Sequence, residues 1–376
     1  MSGLYIHLPF CASRCIYCGF YSTTLPTLQT RYTDALCREM DLRRHYLDGC
    51  GHALQTIYLG GGTPSQLSLD NLSRLFLYIN KEHPYLTHVQ EMEITMECNP
   101  DDLTPTYVEG LRKLPVNRIS LGIQTFSDSR LQLLHRRHTA QEAKEAVSRL
   151  QQAGFRNISI DLMFGFPEET VEEWHEDVRT AIELGVNHIS AYSLMYEEGT
   201  ALWKMRQEGK IKETDEEVSL AMYNLLMKEM SAAGFEHYEI SNFALPGFRS
   251  RHNSSYWHQI PYIGIGAAAH SFDIKSRQWN IADIMRYMTS IEGGTIPCER
   301  EEIDERTRYN DLVTTALRTS DGLELKQLPP LYHDYLLKTA KPWIVDRKME
   351  VKNGRARITR GGIFVSDDIM SDLMYV

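Results

Sequence analysis

Three cysteines fall within eight residues, at Cys11, Cys15 and Cys18. Thiolates this close together are soft metal ligands, and the spacing admits two metal chemistries. Structural zinc takes four protein ligands in a tetrahedron. Here the only nearby fourth candidate is His7, four residues before Cys11 on an apparent strand and poorly placed for the task. An iron–sulfur cluster is bound by thiolates, normally four. Three from one loop would leave one iron without a protein ligand, open to a small chelating molecule in the way catalytic metal sites keep an open position. A disulfide framework fits neither the odd total of seven cysteines nor the length of the chain. Cys37, Cys50, Cys98 and Cys298 stand singly and read as small hydrophobes without a chemical role.

The elements that must hold this loop are legible as an alternation. Short β-type runs, Leu4–Leu8, Thr56–Leu59, Glu93–Glu97, Arg118–Gly122, Asn157–Asp161 and His188–Tyr192, are separated by helical patterns at Tyr32–Tyr46, Leu72–Asn80, Thr106–Leu114, Ala140–Ala153 and Val171–Leu184. Thr104-Pro105 reads as an N-cap with a first-turn proline, and Gly154 and Gly185 sit where helices end. Such alternation implies an α/β fold with a parallel sheet and right-handed crossovers, either an incomplete barrel or an open doubly wound sheet. Ligands bind at the carboxyl ends of the strands in both. Those ends carry Pro9-Phe10-Cys11, Gly60-Gly61-Gly62-Thr63-Pro64, Glu97-Cys98-Asn99-Pro100, Gln124-Thr125-Phe126 and Asp161, and the fold would bring them to one face.

The later chain reads differently. Thr214–Ala233 is expected as a helix opened by a Thr214/Glu217 capping box, with the Met-rich stretch Ala221–Met230 as core. The Pro246–Ser250 loop leads into an aromatic and His-rich segment, Arg251–Phe272. From about Thr295 the chain looks like a separate helical module whose basic stretch, Lys338–Arg360, reads as a solvated face. The 376 residues carry 40 Lys+Arg against 50 Asp+Glu, a formal charge of −10, which argues against a protein held on nucleic acid by bulk charge. There is no apolar run long enough to span a membrane, and the first residues lack the charged and apolar regions of a secretory signal. A cytoplasmic, reducing setting is the expectation.

With these residues in place, a resemblance emerges. Cys11-Ala-Ser-Arg-Cys15-Ile-Tyr17-Cys18 resembles the CxxxCxΦC motif of the radical S-adenosylmethionine (SAM) proteins. The resemblance implies a [4Fe-4S] cluster on Cys11, Cys15 and Cys18, with the amine and carboxylate of SAM on the fourth iron and Tyr17 beside the adenine. In the radical enzymes of that superfamily, one electron from the cluster cleaves the sulfonium. Tyr5-Ile-His-Leu-Pro-Phe-Cys11, the Gly60–Pro64 turn, Glu97, Gly122-Ile-Gln124-Thr-Phe126, Arg136-Arg-His138 and Ile160-Asp161-Leu-Met-Phe-Gly-Phe-Pro167 are similar to the oxygen-independent coproporphyrinogen oxidase family. This likeness covers most of residues 4–272 and implies SAM contacts at Tyr5, Gly61, Gly62, Thr63, Glu97, Gln124, Arg136 and Asp161. It also selects the barrel, a partial (β/α)6, followed by a small helical C-terminal domain.

Two features point to one branch. Phe20 stands where the true dehydrogenases usually carry a fourth cysteine, and His252-Asn-Ser-Ser-Tyr256-Trp257 is similar to the HNxxYW motif of the HemW-type heme chaperones. The resemblance implies heme, with His252 as a candidate axial ligand and Tyr256 and Trp257 covering the porphyrin; histidine is the commonest protein ligand to heme iron. His270 is a lesser candidate for a second ligand. The expected organisation is a barrel over 1–240, a bridging segment with the heme motif over 241–295, and the helical domain over 296–376. The expected partners are heme, an acceptor protein, a reductant and a second copy of the chain in a homodimer. The competing expectation is oxidative decarboxylation of coproporphyrinogen III, and a third is radical modification of heme.

Overall fold

The computed structural model describes residues 2–50, 54–82 and 91–376. Six strands, β1 (Ser2–Leu8), β2 (Leu54–Gly61), β3 (Glu93–Cys98), β4 (Arg118–Gln124), β5 (Asn157–Phe164) and β6 (His188–Ser193), lie side by side in chain order, every neighbouring pair parallel. The crossovers carry α1 (Gln29–Leu42), α2 (Leu69–Glu82), α3 (Pro105–Leu111), α4 (Asp128–Leu133), α5 (Ala140–Gln152) and α6 (Val171–Glu183). Each strand alternates. One face, with Leu4, Ile6, Ile57, Leu59, Ile94, Met96, Ile119, Leu121, Ile158 and Ile160, packs under the helices as the main core. The other is polar, and residues from all six strands line one cavity on it, which requires the sheet to curl into a partial barrel.

Local signals act as expected at the helix ends. Thr104 accepts from Tyr107 N, and Thr139 and Thr170 form complete capping boxes with Glu142 and Glu173. Gly154 and Gly185 take left-handed conformations at helix ends. Thr214 does not cap: after α7 (Ala201–Gln207), helix α8 (Glu216–Ala232) begins at an Asp215 N-cap, and the Thr214 hydroxyl instead donates to Phe166 O at 2.7 Å. A tertiary carbonyl within reach outcompetes the local cap.

The segment expected as a bridge is woven into the sheet. Strands β7 (Glu236–Glu239) and β8 (Asn242–Ala244) extend it antiparallel beyond β6. Helix α9 (Arg251–Trp257) follows; then β9 (Tyr262–Ile265) pairs parallel with β1, and β10 (His270–Phe272), β11 (Ser276–Asn280) and β12 (Cys298–Glu302) continue the far edge. Exposed β1 edge groups would be costly, and this segment satisfies them. Helix α10 (Ile284–Glu292) packs on α1.

A second core gathers Tyr309, Val313, Leu323, Tyr332, Leu336, Met349, Ala356 and Ile369. It is built by α11 (Glu305–Ala316), α12 (Pro330–Thr339), α13 (Lys341–Val345) and α14 (Ser366–Leu373) around a three-stranded sheet of β13 (Leu323–Glu324), β14 (Met349–Lys352) and β15 (Arg355–Ile358), so much of the basic stretch forms a hairpin. Among the described residues, no helix is long and apolar enough to cross a membrane.

Candidate functional site

The cysteine loop follows β1 and is pinned at both flanks. Cys11 N bonds to Thr23 O, and Ile16 sits between Leu134 and Leu202 through backbone bonds on each side. Cys11, Cys15 and Cys18 all border the same cavity, about 580 Å3 in volume, and all seven cysteines are free thiols. Among the described residues, no three His, Cys, Asp or Glu side chains converge on the point of a single ion.

Tyr5, Tyr17, Gly61, Gly62, Thr63, Glu97, Gln124, Arg136 and Asp161, expected from nine positions between 5 and 161, line this one cavity together with the thiols. Arg136 is its hinge. Its Nη1 lies 3.6 Å from Cys15 Sγ, and Nη2 donates to Asn99 Oδ1 at 2.6 Å and Gly122 O at 2.5 Å, while Nε is buried with no partner. Gln124 occupies a left-handed conformation (φ 73°) at a register shift in β4, and a side chain at Gly122 would collide with its amide. In the glycine turn, Gly61 has φ 112°, and a Cβ on Gly62 would meet the Pro9 backbone at 2.6 Å and Cys11 Sγ at 3.1 Å. The N–H groups of Gly61, Gly62 and Thr63 are spent on Glu97, Leu8 O and Phe10 O, so the turn contributes close approach.

The acids are held by neighbours. Tyr58 OH donates to Glu97 Oε1 at 2.7 Å, and Gly61 N donates to Oε2 at 3.2 Å. Burial pushes Glu97 up to about 7, the nearby Asp161 adds to this, and Tyr58 and Arg118 counter it. Burial likewise pushes Asp161 up to about 6 against hydrogen bonding from Ser190 and the charge of Arg118. Both carboxyls bind protons more tightly folded than unfolded. They favour the ligand-free fold at low pH, and this contribution is lost as pH rises through about 6 to 7. Buried neutral histidines such as His7, lowered to about 4 by desolvation, slope the other way. The expected result is therefore a difference: between pH 6 and 8 the melting temperature of wild type falls relative to that of Glu97→Gln, because only the wild type must ionise Glu97 in a buried place. Parallel curves in thermal melts would refute this.

Residues that the sequence reading did not single out also line it, among them Tyr58, Arg118, Ser120, Ser190 and Asn253. Arg118 is 1% exposed, and its Nε and Nη1 have no hydrogen-bond partner. A signal was present. Strands buried in a parallel sheet usually run continuously apolar, whereas Arg118-Ile-Ser120-Leu-Gly122 and His188-Ile-Ser190-Ala-Tyr192 alternate. Arg118, Ser120, Gly122, Ser190 and Tyr192 face the cavity.

The heme-motif residues are placed elsewhere than expected. His252 is not in the polar loop expected just after Pro246–Ser250. It lies in the first turn of α9, 1% exposed, under the barrel floor. Nδ1 bonds to Thr56 Oγ1 at 2.8 Å and Nε2 to Tyr256 OH at 2.7 Å, so neither ring nitrogen is free for iron in this arrangement. Glu93 receives the N–H groups of Arg251 and His252, both at 2.9 Å. The His252 ring stacks on Tyr58 at 5.0 Å and packs where Gly3 has no Cβ. Tyr256 faces His252 and Tyr262, and Trp257 packs near Tyr238, rather than forming an open wall. Only Asn253 of the motif reaches the cavity. His270 is exposed at the start of β10.

A curled parallel sheet with three loop cysteines at its carboxyl end defines a radical SAM protein, and residues 5–181 match the pattern of the Radical SAM superfamily. Within it the chain belongs to the HemW family. It is 38% identical to the heme chaperone HemW of Synechocystis sp., over 87% of this chain and 80% of that one. It is 34% identical to the heme chaperone HemW of Bacillus subtilis, over 88% and 87%. In structure it resembles the radical SAM enzyme coproporphyrinogen III oxidase HemN of Escherichia coli, with TM-score 0.84 at 20% identity over 99% of this chain and 90% of the other, a likeness of fold.

Proposed function

We propose that this protein is a cytoplasmic heme chaperone, binding heme and passing it to an acceptor protein, with a [4Fe-4S] cluster on Cys11, Cys15 and Cys18 and SAM in the adjoining cavity. The observation that supports it most is the match to HemW chaperones along more than four-fifths of the chain.

The residues present suit both groups. Three thiols face one cavity, the missing Cβ of Gly62 leaves room beside Cys11, and the Arg136 guanidinium stands against Cys15. Arg136 offers a cation to a carboxylate and also offsets thiolate charge. Glu97 and Asp161, where ionised, accept from ribose hydroxyls or an ammonium, and Gln124 presents an amide held in place by its strained backbone. Tyr17 gives an aromatic edge for a base. When bound, the cluster would supply one electron at a time to the sulfonium. His252, Tyr256 and Trp257 remain the heme residues suggested by the motif; contact through them requires the floor of the barrel to open, with loss of the His252–Tyr256 bond.

Anaerobic titration of cluster-loaded protein with heme, alongside an assay of coproporphyrinogen III decarboxylation with SAM and reductant, tests the proposal. Saturable heme binding of about one per chain without porphyrinogen turnover is expected. Steady decarboxylation would replace the chaperone by an enzyme.

A further inference from the structure

A second cavity, about 460 Å3 in volume, lies away from the cysteine loop, where the β7 edge of the sheet meets the C-terminal core. One wall comes from α8 and β7, the other from residues 317–320 and the β14–β15 hairpin. Backbone bonds join the two walls, Ile240 N to Arg318 O at 3.1 Å and Ser320 N to Tyr238 O at 3.0 Å. The apolar lining includes Met227, Phe235, Leu317 and Ile363. Three guanidinium groups border it, those of Arg318, Arg357 and Arg360. Arg318 is committed: its Nε and Nη2 donate to Oε1 of the buried Glu239 at 2.9 and 2.8 Å. The other two are not. Among the described residues, Arg357 has no acid partner, its Nε reaching only Asp321 O at 3.3 Å, and Arg360 makes neither an ion pair nor a hydrogen bond.

We propose that this cavity binds a small amphipathic anion, with Arg357 and Arg360 on its carboxylate or phosphate head and the apolar lining against its body. The site is independent of the heme and SAM readings above. Charge decides the sign of the ligand. Glu239 cancels Arg318, so Arg357 and Arg360 are opposed only by Glu350, exposed and directly across from Arg357 in the antiparallel register, and one positive charge is left over. The Arg360 charge reaches His237 on the β7 wall, adding to the burial that lowers the proton affinity of that imidazole. Guanidinium forks take the oxygens of a carboxylate or phosphate in pairs, and Ser320 and Thr359 bring hydroxyls to the same space. A bare ion would leave the apolar lining wet, whereas an apolar body removes it from water. The volume falls within the range of small-molecule sites, about 300–1,000 Å3. Because the walls belong to the two cores, a ligand here ties the C-terminal module to the sheet.

The probe is anilinonaphthalene sulfonate, an aromatic body carrying one sulfonate, titrated by fluorescence into the full-length, cluster-loaded protein with SAM present. Wild type is expected to bind about one probe per chain, displaced by octanoate and not by inorganic phosphate. Arg360→Gln weakens binding about fivefold, and the double variant Arg357→Gln/Arg360→Gln about tenfold or more. Lys338→Gln, which removes an exposed cation outside the cavity, leaves binding unchanged. Glu350→Gln tightens it about twofold, a sign that loss of structure does not produce. Saturating octanoate raises the melting temperature of wild type and not of the double variant. Absence of saturable binding, or equal affinity in wild type and the double variant, overturns the site. Weaker binding in Glu350→Gln overturns the charge argument, and displacement by phosphate as effective as by octanoate overturns the amphipathic ligand class.

Discussion

Replacing Cys11, Cys15 or Cys18 singly by alanine is expected to abolish the iron–sulfur absorbance after anaerobic reconstitution, whereas Cys37→Ala and Cys98→Ala retain it. The contrast follows from placement. The first three border one cavity on a loop tied down at Thr23, Leu134 and Leu202. Cys37 is buried in the apolar core away from the cavity, and Cys98, which borders the cavity from the end of β3, is 3% exposed and stands on a core strand apart from the cysteine loop. The variants should stay folded, because none of the three loop thiols belongs to the core. Iron analysis gives a second readout. Four irons per chain in a triple Cys11/Cys15/Cys18 alanine variant would sink the cluster assignment.

His252→Ala is expected to destabilise the protein by about 2–4 kcal/mol, seen as a fall in denaturation midpoint. The substitution removes a buried ring, opens a void, and leaves Thr56 Oγ1 and Tyr256 OH without their partner. Tyr256→Phe, which deletes one hydroxyl, should cost about 1 kcal/mol and supports the interpretation if the alanine variant is too unstable to purify. The loss should also reach the cavity. His252 supports the Tyr58 ring, and Tyr58 OH holds Glu97, so SAM affinity should weaken several-fold alongside heme affinity. Full stability would remove the structural role of His252, and unchanged heme affinity would remove it from the heme residues.

Much of this protein is written locally, and local signals were readable. The β/α alternation, the Thr104, Thr139 and Thr170 helix starts and the glycine stops concern residues three or four apart, where backbone geometry alone sets the outcome. The cysteine triad and the glycine turn are likewise short patterns, and the residues they suggested do meet in one cavity. What needed the tertiary structure was every property set by distant chain. Thr214 turned from cap to tertiary donor because Phe166 O lies within reach. Arg118 became part of the cavity because a sheet curls, placing alternate residues of six strands around one space. The HNxxYW motif shows the divide most clearly. Its sequence names chemistry that could serve a heme, but β2, β3 and β1 supply Thr56, Glu93 and the space at Gly3, and they enclose His252 in hydrogen bonds. His270, on β10 between β9 and β11, stays exposed because strand pairing engages its backbone and leaves its ring against Trp279. Sequence determines which groups are present; the fold decides which of them has a free lone pair, because that depends on the partners that chain closure brings within 3 Å.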